Sequence, residues 1–189
     1  MVQPDSERGR PRILNSALAV FAERGYDAAS IAEIGQRAGV AKSVMYHHFG
    51  SKAGLYEAVV EKQTDELVEA VAAAVPDDPT APRLRAGVDA YFQFLKSHPA
   101  VWRLFVRDPP VEPELADVHR RLEDQRARVL SSLLTQERHR GRAAKPLFAD
   151  LLTTAIRAYA SWWYEHPRVS RTSVVNAVMA FSEAGVRHL

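Results

Sequence analysis

The stretch from Ser30 to Leu55, SIAEIGQRAGVAKSVMYHHFGSKAGL, narrows the fold more than any other part of the chain. Ser30 followed by Glu33 has the form of a capping box, in which a hydroxyl and a carboxylate satisfy the free N–H groups that open a helix. Gly39 stands where one short helix must give way to the next, a turn that asks for a positive φ and hence for glycine. The helix expected behind it, about 42–49, is short, polar and aromatic, with Lys42, Ser43, Tyr46, His47 and His48. Ser51 caps a third helix directly after it. Two short helices joined by a tight turn form the frame of a helix-turn-helix DNA reader, whose second helix enters the major groove.

The rest of the chain reads as helix. Apolar residues recur at helical spacing, and no run alternates between hairpin turns as a strand would. The first helix is expected over about 12–24, with Ile13, Leu14, Ala17, Leu18 and Phe21 inward and Gly25 stopping it. A long helix follows Ser51 to about Ala74, and the proline-rich run 76–82 breaks it. Further helices precede His98-Pro99, surround Trp102–Phe105, and span about 114–138, 145–165 and 170–189, the last two split by His166-Pro167. The fold class expected is all-α, with about nine helices.

Composition and motifs close off other classes. The chain has no cysteine, so disulfides, thiolate metal sites and Cys nucleophiles are excluded. No apolar run reaches transmembrane length and the N-terminus is polar, so the expectation is a cytoplasmic protein with no membrane partner. There is no Gly-rich phosphate loop, HExxH or G-x-S-x-G element, and the seven histidines lack ligand spacing. Neither enzyme activity, metal nor cofactor is expected. Charge is uneven. Residues 1–62 carry eight basic against seven acidic residues, 63–118 five against ten, and 119–145 eight against three. The reading segment is therefore not strongly basic, as a DNA binder's usually is.

Within the reading helix, Lys42, Ser43 and Val44 occupy the first turn and are expected to point at DNA. Val44 can make only apolar contact, for example with a thymine methyl. Tyr46 and His47 lie one turn on and reach a phosphate or a base. His48 reads as a packing residue beside Phe49. Lys52, in the first turn after Ser51, opposes the helix dipole at a cost of a few tenths of a kcal/mol. That placement makes sense if a phosphate sits at the helix end; the alternative is an exposed lysine without function. Arg8, Arg10 and Arg12 form either a basic arm on the DNA backbone or a solvated tail.

The last two helices are apolar on two sides. Leu147, Leu151, Ala155, Ala158 and Trp162 lie on one side of helix 145–165; Phe148, Leu152, Ile156, Tyr159 and Trp163 lie on a neighbouring one. Helix 170–189 repeats this with Val174, Val178 and Phe181 beside Val175, Met179 and Val186. A surface helix needs one apolar stripe, and a second implies burial all round. We expect a homodimer built as a four-helix bundle, with Phe148, Leu152, Ile156, Trp163, Val174, Val178 and Phe181 at the interface. Burial of these helices within their own subunit is the alternative.

Residues Arg12–Tyr56 resemble the N-terminal domain of the TetR family of transcriptional regulators. The resemblance rests on the G-Y after helix one, on I-A-E-I with R-A-G-V, on the Y-x-H-F element, and on S-K-x-x-L-Y. It implies an all-helical homodimer that binds a palindromic double-stranded operator, usually represses, and is released by a small-molecule effector. It implies a helix-turn-helix domain over 1–55 and an effector-binding and dimerisation domain over 56–189. Ser30, Lys42, Ser43, Tyr46, His47 and Lys52 fall at the family's DNA-contacting places. The pattern is departed from at two places. Ala41 stands where a capping Ser or Thr is common, a loss of about 1 kcal/mol. Val44-Met45 replaces Thr-Leu, which removes a hydroxyl from the reading face.

An effector site in a helical bundle should be an apolar cavity with a few polar groups. The expected lining is Tyr91, Trp102, Phe105, Tyr159 and Trp162. Gln125 and Arg126, which interrupt the apolar stripe Leu115, Val118, Leu122, Val129 and Leu133, are the expected anchors. The effector's identity cannot be read. Two other readings are a DNA-binding regulator without a small-molecule effector and a helical protein-interaction module.

Overall fold

A computed structural model of the chain describes residues 5–78, 82–106, 113–136 and 145–187. Among these residues there are nine helices and no strand. They are α1 (Asp5–Ala28), α2 (Ile31–Ala38), α3 (Lys42–Phe49), α4 (Lys52–Ala74), α5 (Arg83–Ser97), α6 (Pro99–Val106), α7 (Pro113–Gln136), α8 (Lys145–Glu165) and α9 (Arg171–Arg187). The all-α class is as expected. Gly141, read as the stop of the long helix, lies outside the described residues.

Two compact units divide the chain within α4 and α7. The first comprises residues 1–63 and 99–120, the second 64–98 and 121–189. Packing thus groups α6 and the start of α7 with the N-terminal helices, which a division at residue 55 does not include.

In the first unit, Ile13, Leu14, Ala17, Val20 and Phe21 of α1 are buried with Ile31 and Ile34 of α2 and with Leu55 and Tyr56 of α4. Helix α1 packs on both α2 and α6. Tyr56 meets Phe21 and Tyr26 edge-on, each at 5.2 Å between ring centroids, a geometry that aromatic quadrupoles favour. Gly25 stops the first helical stretch as expected: its φ of 78° and ψ of 170° are not helical, and a second short stretch carries α1 on to Ala28. The helix also begins earlier than expected. Arg10 and Arg12 are helical, and the guanidinium of Arg10 lies 5.7 Å from the Phe49 ring centre. Pro11 is accommodated within this early part of the helix.

In the second unit, α9 packs against α5 and α8. Val88, Phe92 and Leu95 of α5, Leu152, Ile156 and Trp163 of α8, and Val174, Val175 and Val178 of α9 are buried. Phe92 meets Trp163 edge-on at 5.6 Å, and the Trp163 indole N–H donates to the Val169 carbonyl at 2.8 Å. Among the described residues no helix is long and apolar enough to cross a membrane.

Candidate nucleic-acid interface

Helix α2 is capped by Ser30, whose Oγ accepts from the Glu33 amide at 3.1 Å. Glu33 turns its carboxylate to Arg37, 2.9 Å away, and to Arg24 at 3.6 Å. Arg37 also reaches Glu23 of α1 at 2.7 Å. The hydrogen bond from Arg37 holds the Glu23 carboxyl below its ordinary pKa and raises that of the guanidinium. Gly39, with φ 67° and ψ 35°, closes α2 in the left-handed conformation. The chain then passes so close to α2 that a side chain at Gly35 would bring its Cβ to 3.0 Å from the Val40 carbonyl oxygen.

One residue pins α3 to this frame. Met45 is 1% exposed, and its Cγ would lie 3.8 Å from a Cβ at Gly35. The remainder of α3 follows from helical geometry. Ser43 and His47, four residues apart, point away from Met45; Val44 flanks them on one side and Tyr46 on the other. All four are exposed, as is Lys42. Val44 is 37% and Tyr46 45% exposed. Lys42 Nζ lies 5.6 Å from the Tyr46 ring centre, the i,i+4 neighbourhood of a helix surface. Ala41 is the N-cap and makes no side-chain capping bond, as its lack of a hydroxyl dictates. His48 is half-buried, its ring 6.0 Å from that of Phe49.

Gly50, with φ 70°, turns the chain into α4. Ser51 caps that helix, its Oγ accepting from the Gly54 amide at 3.0 Å. Gly54 is the residue that sequence reasoning missed. A Cβ there would lie 2.2 Å from the Phe49 carbonyl oxygen, so α4 can abut the end of α3 only with glycine at this position. Lys52 behaves differently from a free cation at a helix end. Its Nζ donates to the Asp27 carbonyl at 3.0 Å and sits 4.4 Å from the Tyr26 ring centre. Those contacts offset the unfavourable dipole and tie α4 to α1.

The residues expected around an effector fall in both units. Trp102 and Phe105 belong to the first unit; Tyr91, Gln125, Tyr159 and Trp162 belong to the second. Trp162 is 47% exposed and stacks on the His166 ring at 4.1 Å, so it lies at the surface instead of in a cavity. The polar break in α7 has a local cause, since Gln125 Nε2 donates to Asp65 Oδ1 at 3.1 Å. The side chain of Arg126 lies outside the described residues. A groove of about 470 Å³ in the second unit has Ala70 and Ala74 of α4, Ala86, Ala90 and Phe94 of α5, and Asp89, Gln93, Ser97, His98 and Arg171 as its lining. None of the other six expected residues lines it.

Of the seven residues expected at a dimer interface, five lie inside the single chain. Leu152, Ile156, Trp163, Val174 and Val178 are buried within the single chain, because α9 covers that side of α8 and α5 covers α9. The apolar side left open is the other one. Leu151 is 55% exposed and Trp162 47%, with Ala155 and Ala158 between them at 4-3-4 spacing and the half-buried Phe148 three residues before Leu151. On α9, Phe181 is 47% exposed.

An exposed polar helix, pinned by one buried side chain behind a left-handed glycine turn, defines a helix-turn-helix DNA-binding domain. Comparison with known proteins agrees. The family described as bacterial regulatory proteins, tetR family, matches residues 13–59. The HTH-type transcriptional activator FasR of Mycolicibacterium smegmatis is 32% identical over 98% of this chain and 86% of its own length. The HTH-type transcriptional regulator BetI of Escherichia coli is 33% identical over 69% of this chain and 68% of its own. The fold is that of FadR from Bacillus subtilis, a transcriptional regulator solved with stearoyl-CoA, at a TM-score of 0.81 and 17% identity over 95% of this chain and 98% of that one. The chain belongs to the TetR family: it is a DNA-binding transcriptional regulator, not an enzyme.

Proposed function

We propose that the protein acts as a homodimer that represses transcription from a palindromic operator and leaves it when a small-molecule effector binds the second unit. The observation that carries this reading is the outward face of α3. Lys42, Ser43, Val44, Tyr46 and His47 are exposed, while Met45 is the one fully buried side chain of the helix. Ser30 at the start of α2 and Lys52 at the start of α4 flank that face; Lys52 must exchange the Asp27 carbonyl for a phosphate to take part. Pairing of two copies is supported by the open apolar side of α8 and by Phe181, a patch that water solvates poorly. An effector is supported by the groove in the second unit and by the likeness of the fold to the Bacillus subtilis regulator solved in complex with stearoyl-CoA.

An effector releases DNA only to the extent that it prefers the released conformation. The test is binding of the full-length protein to genomic fragments at fixed salt, followed by a reporter placed behind the bound fragment. Retention of a discrete fragment and a rise in reporter output on deleting the gene support repression. A fall in output supports the second reading, activation, which the relative named as an activator over nearly the whole chain favours. Binding of no fragment defeats both.

A further inference from the structure

We infer that Val44 reads a thymine 5-methyl group, at one position in each half of the operator. The inference rests on the reading of α3 as the DNA-contacting helix and assigns one of its side chains a base. Four of the five outward residues of α3 carry hydrogen-bonding groups that serve phosphates and base edges alike. Val44 has none. The residue is 37% exposed, on a helix face otherwise occupied by Lys42, Ser43, Tyr46 and His47. An apolar side chain left in water on such a face gains only where its partner is apolar. The major groove offers one such group on the four bases, the methyl on C5 of thymine. The minor groove offers none.

Geometry limits where that thymine lies. The Val44 amide donates to the Ala41 carbonyl at 3.0 Å, which fixes Val44 in the first turn of α3. The residue occupies the flank of the Ser43/His47 ridge opposite Tyr46, and Lys42 lies against Tyr46 on the other flank. The polar pair Lys42/Tyr46 and the apolar Val44 therefore face opposite walls of the groove. The thymine methyl is read at a position displaced from the bases or phosphates that Lys42 and Tyr46 take. Because Val44 lies outside the buried core, its replacement is expected to leave the fold intact.

The experiment uses the full-length protein and a duplex it selects from a random library. Each thymine of that duplex is replaced in turn by uracil, which removes the methyl and keeps every hydrogen-bonding group. The expected result is a loss of about fourfold at one thymine per half-site, the size of burying one methylene-sized group, and no loss at the others. With Val44→Ala the thymine and uracil duplexes bind alike at that position. Val44→Thr retains the shape and part of the methyl contact, and so shows that any loss in V44A does not come from unfolding. If the selected duplex tolerates uracil throughout, or if V44A keeps the same thymine preference, the assignment to Val44 is wrong and the DNA-binding role of α3 stands. If the protein selects no duplex, the role of α3 falls and the assignment with it.

Discussion

Helices α3 and α8 each bury one side and leave the other open, and the open sides differ in kind. On α3, Met45 points inward while Lys42, Ser43, Tyr46 and His47 point out. On α8, Trp163 points inward, capped by its bond to Val169, while its neighbour Trp162 lies at the surface with Leu151. An open polar side needs a polar, charged partner; an open apolar side needs an apolar one. On the proposed reading, the first meets the phosphates and base edges of a duplex and the second meets another copy of the chain, so that inward residues carry stability and outward ones association.

The neighbouring tryptophans give the sharpest division. Trp163→Ala removes a buried ring that meets Phe92 and is expected to lower stability by about 3–5 kcal/mol in urea unfolding. Trp162→Ala removes an exposed ring, so little of that loss should appear. Equal losses for the two would erase the contrast on which the assignment of the open side rests. The next largest effect tests the partner. Leu151→Ser combined with Phe181→Ser is expected to yield a monomer by analytical ultracentrifugation. Affinity for a duplex with two half-sites should fall about a hundredfold, because the second contact is no longer held near its site. A variant that sediments as the parent does would place the association of copies elsewhere.

On the α3 side, Lys42→Ala with Tyr46→Ala is expected to weaken duplex binding about tenfold. It should lower the slope of log affinity against log salt by about one, since one cation leaves the phosphates. Thermal melting should not change, because both side chains are exposed. If affinity is kept, the outward face of α3 is not the reading surface.

How much of this was legible depended on the distance over which each constraint acts. The turn at Gly39, the cap at Ser30 and the uncapped Ala41 are decided within four residues, and all three stand as read. Gly25 stops the first helical stretch as read, while the short stretch after it to Ala28 went unread. Gly54 was invisible, since the clash that demands glycine is with the backbone of Phe49, and no periodicity reports a close approach. Lys52 has a partner 25 residues away at Asp27, beyond any local pattern. The two sides of α8 were both apolar on paper. Which of them is covered within the chain is a matter of tertiary packing, and the Leu152–Ile156–Trp163 side is the buried one. Gln125 broke a stripe for the sake of Asp65, another helix's residue.

The smallest effect concerns how α1 supports the reading helices. Glu23 and Arg37 are exposed and join α1 to α2 at 2.7 Å. Arg37 also holds Glu33, so it keeps a partner when Glu23 is lost. Exposed pairs of this kind contribute little and are screened by salt. The hydrogen bond from Arg37 nevertheless depresses the Glu23 pKa in the folded state, which fixes the sign of the pH dependence. A carboxyl that is more acidic folded than unfolded stabilises the fold above the unfolded pKa, and its contribution disappears as pH falls through the folded one. Glu23→Gln should therefore lower the melting temperature slightly at neutral pH and low salt. The gap to the parent should narrow as the solution is acidified below the ordinary carboxylate range, and it should narrow likewise when salt is raised at neutral pH. A gap that widens in acid would mean that Glu23 acts through something other than its charge.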